Sequence, residues 1–146
     1  MIKIFFIGLS NKIKKEPLSS ETVSGALIDR IINNLEYKCI KANLVNFSPL
    51  NQNCKLRYPN IQEQNKGFES LKLILEKNTP YIAVCLGKKV SRYLDSKVDN
   101  PLKIKHPAHM AVYKRKEVNL YIKNTVDNIN SMVLNTKHQK PLQNKG

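Results

Sequence analysis

The chain has 146 residues, of which 41% are hydrophobic, and its formal net charge is +14 at pH 7. This length and apolar content predict one globular domain with its own core and exclude a disordered chain, and no apolar run approaches the ~20 residues that a membrane span needs. The charge favours a polyanion as partner, above all nucleic acid, and it opposes self-association, so we expect a monomer without membrane contact.

The N-terminal half predicts two strands and one helix. Ile2–Ile7 is interpreted as a strand of a cytoplasmic protein, because this apolar stretch is too short for a signal peptide and no small-residue cleavage site follows it. Between Glu21 and Leu35 the apolar residues recur on one face of a helix, and Ser20 precedes them as a plausible N-cap. Cys39–Val45 is the second predicted strand, and a long proline-containing loop follows it.

The C-terminal half continues this alternation. In chain order it predicts a helix at Phe68–Leu75, a strand at Tyr81–Leu86, a short basic helix at Lys88–Leu94, a short strand at Leu102–Ile104 and a helix from Glu117 to about Leu134. The stretch that follows is polar and has no apolar periodicity. We therefore expect a single domain over residues 1–135 and a flexible polar tail over residues 136–146.

Alternating strands and helices of these lengths predict an α/β fold with a parallel sheet covered on both faces. In such sheets, ligands bind beyond the carboxyl ends of the strands. Four segments of this chain follow a predicted strand and would meet at that edge: Gly8–Asn11, Asn43–Pro49, Gly87–Lys89 and His106–Met110.

Three of these segments carry residue types that suit ligand binding. A glycine such as Gly8 lets the backbone approach a ligand, and Ser10 or Asn11 can hold a water or an amide edge, although turn chemistry alone also explains this pattern. The Asn43 amide can donate and accept together, as reading a pyrimidine edge requires, although most asparagines at strand ends only satisfy nearby backbone. Gly87–Lys89 resembles a phosphate-binding start of a helix, but an ATP-binding P-loop is excluded because its full pattern is missing.

The fourth segment, Lys105-His106-Pro107-Ala108-His109-Met110, is the most informative, and the basic run Lys114-Arg115-Lys116 follows it. A proline-stiffened loop of this kind can hold an imidazole against a nucleobase while an apolar side chain such as Met110 enters the base stack. The alternative is a surface turn with a solvated histidine, since His-Pro dipeptides are common in turns.

Five motifs follow one another along the chain: Gly8-Leu9-Ser10-Asn11, Ser24-Gly25-Ala26-Leu27-Ile28-Asp29, Asn43-Leu44-Val45-Asn46-Phe47-Ser48-Pro49, Val84-Cys85-Leu86-Gly87 and His106-Pro107-Ala108. In order and spacing they resemble the uracil-DNA glycosylase superfamily, over roughly residues 2 to 122. The resemblance implies a three-layer α/β/α sandwich around a short parallel sheet. It also implies hydrolysis of the N-glycosidic bond of uracil or a related base after base flipping.

The resemblance also implies roles for single residues. Gly8–Asn11 would form the water-activating loop, with Ser10 and Asn11 as catalytic candidates and with Gly8 and Leu9 against the base. His106 would stabilise the negative charge that develops on the base carbonyl oxygen.

The remaining roles concern the flipped base and the DNA strand. Asn43 would recognise the base, and Phe47 would be a stacking platform or, equally, a core residue. Met110 would be the apolar wedge that fills the vacated stack. Basic side chains are expected to hold the DNA: Lys12, Lys14, Lys15, Lys88, Lys89, His109, Lys114 and Arg115.

The first motif departs from the family pattern, which has Asp, Asn or Glu followed by Pro. It contains neither an acid nor a proline, and Glu16 and Glu21 are the nearby acids that could substitute. The aromatic residue expected before Ser24-Gly25 is also missing, which leaves Leu18 or Ser20 in its place.

The cysteines argue against a bound metal. The chain has three, and their wide spacing without a CxxC pair argues against a disulfide scaffold and against a structural zinc. The iron–sulfur branch of the superfamily needs four, so we expect neither an iron–sulfur cluster nor another cofactor. Cys85 lies in an apolar strand and is expected to be a buried small residue.

Three functions are compatible with these features. The first is a DNA base-excision glycosylase, and the second is a weak or inactive relative that binds nucleic acid or a free base without cleavage. The third is a nucleotide enzyme of flavodoxin-like architecture, which needs neither the charge of +14 nor a wedge at Met110. A proteome rich in Lys and Asn throughout is the alternative explanation for the charge.

Overall fold

The computed structural model describes the backbone of residues 1–143 and the side chains of residues 1–136. In this part of the chain, four strands form one all-parallel sheet in the order β2-β1-β3-β4. The strands are β1 (Lys3–Ser10), β2 (Lys38–Val45), β3 (Tyr81–Leu86) and β4 (Leu102–Ile104). The predicted α/β class with a parallel sheet is confirmed.

Five α-helices accompany this sheet within residues 1–143: α1 (Val23–Ile32), α2 (Ile61–Lys77), α3 (Lys88–Leu94), α4 (Pro107–Tyr113) and α5 (Val118–Gln143). A single 3₁₀ turn at Arg115–Glu117 joins the last two. Over the same residues, no helix combines the length and the apolar character needed to cross a membrane.

Strand β1 lies at the centre of the sheet and is buried on both sides. Its side chains alternate, so that Ile4 and Phe6 pack with α1, α4 and α5, whereas Phe5 and Ile7 pack with α2 and α3. All four side chains are 0% exposed. A parallel strand that is covered on both faces needs such a continuous apolar run. The sheet therefore separates the two helical layers of the sandwich.

Strand β1 is longer at its carboxyl end than the sequence predicts. Gly8 is paired with Asn43 and Ser10 with Val45 in the ladder between β1 and β2. The interpretation of Gly8–Asn11 as a loop is therefore wrong for its first three residues, because the neighbouring strand supplies them with backbone partners. Only Asn11 follows the strand directly.

Helix α2 begins at Ile61, seven residues before the predicted start at Phe68. Asn60 caps it by accepting from the Glu63 backbone N–H over 2.8 Å, while the Glu63 carboxylate accepts from the Asn60 N–H over 2.9 Å. This reciprocal capping box is a local signal for a helix start that the apolar periodicity did not reveal. Helix α1 is likewise capped by Thr22, which accepts from Gly25 over 3.0 Å, and not by Ser20.

The segment interpreted as a His-Pro loop is mainly a helix. His106 is the N-cap of α4 and Pro107 occupies its first turn, where a missing N–H costs nothing. Helix α5 extends to Gln143, so the predicted end near Leu134 is also corrected. The tail predicted to be flexible over residues 136–146 overlaps this helix as far as Gln143, and residues 144–146 lie outside the described residues.

Gly67 provides a test of how closely α2 packs on the sheet. A Cβ added there would lie 2.2 Å from the Leu44 carbonyl oxygen of β2. In an open helix, Gly→Ala stabilises by about 1 kcal/mol, but we expect Gly67→Ala to lower the free energy of unfolding by about 1–3 kcal/mol, because the backbone must move. Urea unfolding measures this change.

Ser70→Ala, at an exposed position of the same helix, is the matched control and should change the free energy of unfolding by less than about 0.5 kcal/mol. Stabilisation by Gly67→Ala would contradict the close contact between α2 and β2.

Candidate ligand-binding site

A cavity of about 430 Å³ lies at the carboxyl ends of β1 and β2. It is within the range of small-molecule pockets, toward the small end. The structure brings together at this cavity six of the residues predicted for the site: Gly8, Leu9, Ser10, Lys12, Asn43 and His106. The remaining predicted residues do not line it: Asn11, Lys14, Lys15, Phe47, Lys88, Lys89, His109, Met110, Lys114 and Arg115.

Gly8 and Asn43 lie side by side on neighbouring strands and form one wall of the cavity. Asn43 is only 7% exposed. A Cβ at Gly8 would lie 2.5 Å from the Asn43 Oδ1 atom and 3.3 Å from a methyl carbon of Leu18. A residue without a side chain is therefore required at position 8 for the Asn43 amide to occupy its place.

Asn11 fixes the orientation of the Asn43 amide. Its Nδ2 donates to the Asn46 carbonyl over 3.1 Å, so its Oδ1 is the atom that accepts from Asn43 Nδ2 over 2.7 Å. Asn43 is left with one N–H and its Oδ1 for other partners. The Asn11 amide makes one hydrogen bond on each side and does not line the cavity, so the structure does not place it there to hold the reacting water. It is a positioning residue for Asn43.

The backbone of Asn11 ties the ends of two strands together. Its N–H donates to the Phe47 carbonyl over 3.2 Å, and its carbonyl accepts from the Ser48 hydroxyl over 2.8 Å. Phe47 is 40% exposed, so a buried core role does not apply to it. Ser10 precedes Asn11 and does line the cavity, as predicted.

His106 presents one particular imidazole nitrogen to a ligand. Its Nδ1 accepts from the Ala108 backbone N–H over 3.1 Å, so the proton of the neutral ring is on Nε2. The residue as a whole is solvent-exposed, but desolvation of its imidazole, followed by charge repulsion from Lys12 and His109, lowers the pKa of His106 below its ordinary value of 6.5. At neutral pH the side chain is therefore an uncharged donor through Nε2–H.

Two neighbouring residues hold the His106 segment in place. Gly87 has a φ of 88°, which favours glycine, and a Cβ there would lie 3.2 Å from the imidazole Cδ2. Tyr121 of α5 donates its hydroxyl to the Lys105 carbonyl over 2.5 Å. In the turn Gly87–Lys89, which was predicted to bind phosphate, Gly87 therefore leaves space for the His106 imidazole.

Met110 is a core residue and not an exposed wedge. It is 4% exposed and packs in the hydrophobic cluster with α1 and α5. Because α4 is a helix, Met110 falls three residues after the buried Pro107 on the same face. The exposed apolar side chains of this helix are Val112 and Tyr113, at 50% and 74%.

Two residues from the loop after Gly8–Asn11, Glu16 and Leu18, also line the cavity. Glu16 lines the cavity, whereas Glu21 forms an ion pair with Lys15 over 2.6 Å. Of the two acids considered as substitutes, Glu16 is the one that lines the cavity. Leu18 also lines the cavity, at the place where an aromatic residue was expected.

Sequence reasoning missed the contribution of the loop between β2 and α2. Leu56, Arg57 and Tyr58 all line the cavity. Arg57 forms a bidentate ion pair with Glu63, over 2.8 and 3.1 Å. The sequence shows a run of apolar, basic and aromatic residues in the loop after β2. This pattern did not indicate that the loop folds back to the cavity.

The basic residues predicted to hold DNA lie in different surroundings. Lys89 Nζ lies 4.4 Å from the centre of the Tyr58 ring, beside the cavity. Lys114 is 4.0 Å from Glu117, and the His109 ring stacks at a tilt on Tyr113 over 5.3 Å. Lys88 and Arg115 are exposed. Lys12 is the one predicted cation that lines the cavity.

Among the described residues, no three His, Cys, Asp or Glu side chains are close enough to one another to hold a metal ion. The cysteines are free thiols, and Cys85 is fully buried, as its apolar strand predicted.

No protein-family model matches the chain, and no curated protein matches its sequence. The choice of a function therefore depends on the chemistry of the cavity itself.

The protonation of His106 can be tested by ¹⁵N NMR of the imidazole. At pH 7 we expect Nδ1 without a proton and Nε2 with one, and a titration midpoint below 6.5, because desolvation, Lys12 and His109 oppose the charged form. The unfolded chain takes up this proton at a higher pH than the folded one, so acidification below about pH 6.5 should lower the free energy of unfolding.

His106→Asn is the matched variant, since asparagine retains an N-cap oxygen but does not titrate. It should lose this part of the pH dependence. A proton on Nδ1 of the neutral ring would contradict the hydrogen bond from Ala108, and a midpoint above 6.5 would contradict the effect of desolvation, Lys12 and His109 on the pKa.

Proposed function

We propose that the protein is a DNA base-excision glycosylase, which hydrolyses the N-glycosidic bond of uracil or a related base that has been flipped out of the strand. One observation carries this proposal. Asn43, with a donor and an acceptor still available, and His106, with a neutral Nε2–H, line the same cavity of about 430 Å³.

The cavity wall has the chemistry needed to recognise a pyrimidine. Uracil presents an N–H donor next to a carbonyl acceptor on one edge, and the Asn43 Oδ1 and its remaining N–H are complementary to that pair. Gly8 lets the backbone approach the flat ring, and Leu18 gives an apolar surface for one of its faces. In this proposal Asn43 selects the base and Asn11 keeps its amide in the orientation that does so.

His106 has the property that the bond cleavage requires. Breaking an N-glycosidic bond leaves negative charge on the departing base and positive charge on the sugar. A donor held toward the anion before the reaction contributes about 3–4 kcal/mol. The Nε2–H of a neutral His106 is such a donor, and the N-cap hydrogen bond at Nδ1 keeps the ring from rotating.

Glu16 takes the role that the first motif lacks in this proposal. It supplies a carboxylate at the cavity, where negative charge stabilises a cationic sugar or orients the attacking water. Ser10 lies on the same wall and can accept or donate a hydrogen bond to that water.

DNA is the proposed partner of this site. The net charge of +14 favours a polyanion, and Lys12 and Lys89 lie at or beside the cavity. If about six phosphates are contacted, the affinity should fall with a log–log salt slope of about −5 on a duplex and about −4 on a single strand.

A second candidate is favoured by one specific observation. The Asn11 amide is occupied by Asn46 and Asn43, so the first motif contributes neither an acid nor a free amide to the cavity. The second candidate is therefore a protein that binds a base or a strand without cleaving it. Such a protein would need only the residues that recognise the base, such as Asn43.

A single-turnover assay tests the proposal. The substrate is a labelled single-stranded oligonucleotide with one central uracil at low salt, and alkali reveals abasic sites. We expect cleavage by the wild type and a rate at least about 100-fold lower for His106→Ala, with little change in binding, because the lost donor acts on the developing anion.

Two carboxylate variants sharpen this assay. Glu16→Gln should lower the rate at least about tenfold, whereas Glu21→Gln, whose carboxylate is paired with Lys15, should leave it unchanged. Equal rates for wild type and His106→Ala would contradict the proposed mechanism. Binding without cleavage, on uracil and on a panel of modified bases, would favour the second candidate.

A further inference from the structure

An aromatic side chain stands exposed at the mouth of the cavity. Tyr58 lines the cavity and is 69% exposed. The Lys89 ammonium group lies 4.4 Å from the centre of its ring. A large aromatic surface that is left in water beside a binding cavity contributes little to the core, but it is well suited to stack on a flat ligand group.

The backbone that carries Tyr58 is held firmly. Arg57 donates to the Tyr58 carbonyl over 3.1 Å and to the Leu50 carbonyl over 3.0 Å. The same guanidinium is clamped by Glu63, whose carboxylate also belongs to the capping box of α2. On the other side of Tyr58, Pro59 is buried and its carbonyl accepts from Gln64 over 3.0 Å.

This bracing matters because an exposed ring on a fixed backbone loses little freedom when it binds. Preorganisation of this kind raises affinity by lowering the entropic cost of association. The surroundings of the ring are cationic, with Lys89 over it and Lys12 at the same cavity. An aromatic ring beside lysines is the combination with which proteins bind the bases and phosphates of single strands.

We infer that Tyr58 is a stacking platform for the base next to the one in the cavity, with Lys89 placed for a neighbouring phosphate, and that the site takes single-stranded DNA. The position of this platform as a neighbour of the extruded base rests on the proposed function. The stacking itself depends only on the exposed ring and its cation.

The burial of Met110 favours a single strand over a duplex as the ligand. An enzyme that opens a duplex needs a side chain to hold the stack apart, and the residue expected for this is buried in the core. A base inside a duplex is already stacked on its neighbours and is not available to Tyr58. A base in a single strand is free to leave its neighbours for the ring.

The experiment measures the binding of fluorescein-labelled oligothymidylate, which contains no uracil, at low salt. Tyr58→Ala should weaken binding of this single strand about tenfold or more, and Tyr58→Phe should stay within about twofold of the wild type because the ring remains. Leu73→Ala is the control: Leu73 is also a large exposed apolar side chain, on α2, but it does not line the cavity. Its binding should be unchanged.

Two further ligands complete the design. A duplex of the same sequence should bind the wild type and Tyr58→Ala equally. An unchanged affinity of Tyr58→Ala for the single strand, or an equal loss on the duplex, would overturn the inference. Tighter, Tyr58-dependent binding of oligoribothymidylate, which keeps the thymine bases on ribose, would overturn the assignment to DNA.

These outcomes are separable from those of the cleavage assay, because no uracil is present. If the wild type cleaves uracil DNA while Tyr58→Ala binds oligothymidylate normally, the platform is wrong and the glycosylase proposal stands. If single-strand binding depends on Tyr58 but uracil is never removed, the glycosylase proposal fails and the stacking surface stands. Thermal unfolding of Tyr58→Ala should match the wild type, since the ring is outside the core.

Discussion

A hydrogen bond between two asparagine side chains organises the cavity. Asn43 donates to Asn11 over 2.7 Å, and Asn11 is itself held by the Asn46 carbonyl. Gly8 makes room for this arrangement, since a Cβ there would lie 2.5 Å from the Asn43 Oδ1. A polar group that is only 7% exposed thus keeps one orientation, with a donor and an acceptor left for a ligand. The rigid centre of the sheet, where β1 is buried on both faces, supports it.

The start of α4 forms another part of the cavity wall. The Nδ1 of His106 is used as the N-cap of α4, and Gly87 gives the ring its space. The same hydrogen bond that starts the helix therefore determines which nitrogen carries the proton. Desolvation of the ring and charge repulsion from Lys12 and His109 lower the pKa of His106, which favours the neutral form. This one hydrogen bond both caps α4 and determines which nitrogen of His106 carries the proton. A substitution of His106 would therefore affect the helix start and the chemistry of the cavity together.

Much of this site could be derived from the sequence because the carboxyl ends of parallel strands lie at one edge. That rule alone placed Gly8, Asn43 and His106 together. The rule did not predict that Asn11 is turned away to Asn46, because that partner is 35 residues away in the sequence. The burial of Met110 was missed because Pro107 was interpreted as part of a loop, although it starts a helix. Tyr58 was missed because the path of its loop depends on the Arg57–Glu63 ion pair and on the bridge between Leu50 and Leu56. Such contacts leave no periodic pattern.

The central claim is that this cavity reads the edge of a pyrimidine through Asn43 and His106. The most direct measurement is a titration of ¹⁵N-labelled protein with free uracil, followed through the Asn43 side-chain amide and the His106 imidazole nitrogens. Saturable shifts of both groups, absent in Asn43→Ala, are the predicted result. Shifts confined to another surface, or none at millimolar uracil, would contradict the claim that this is a base-binding site.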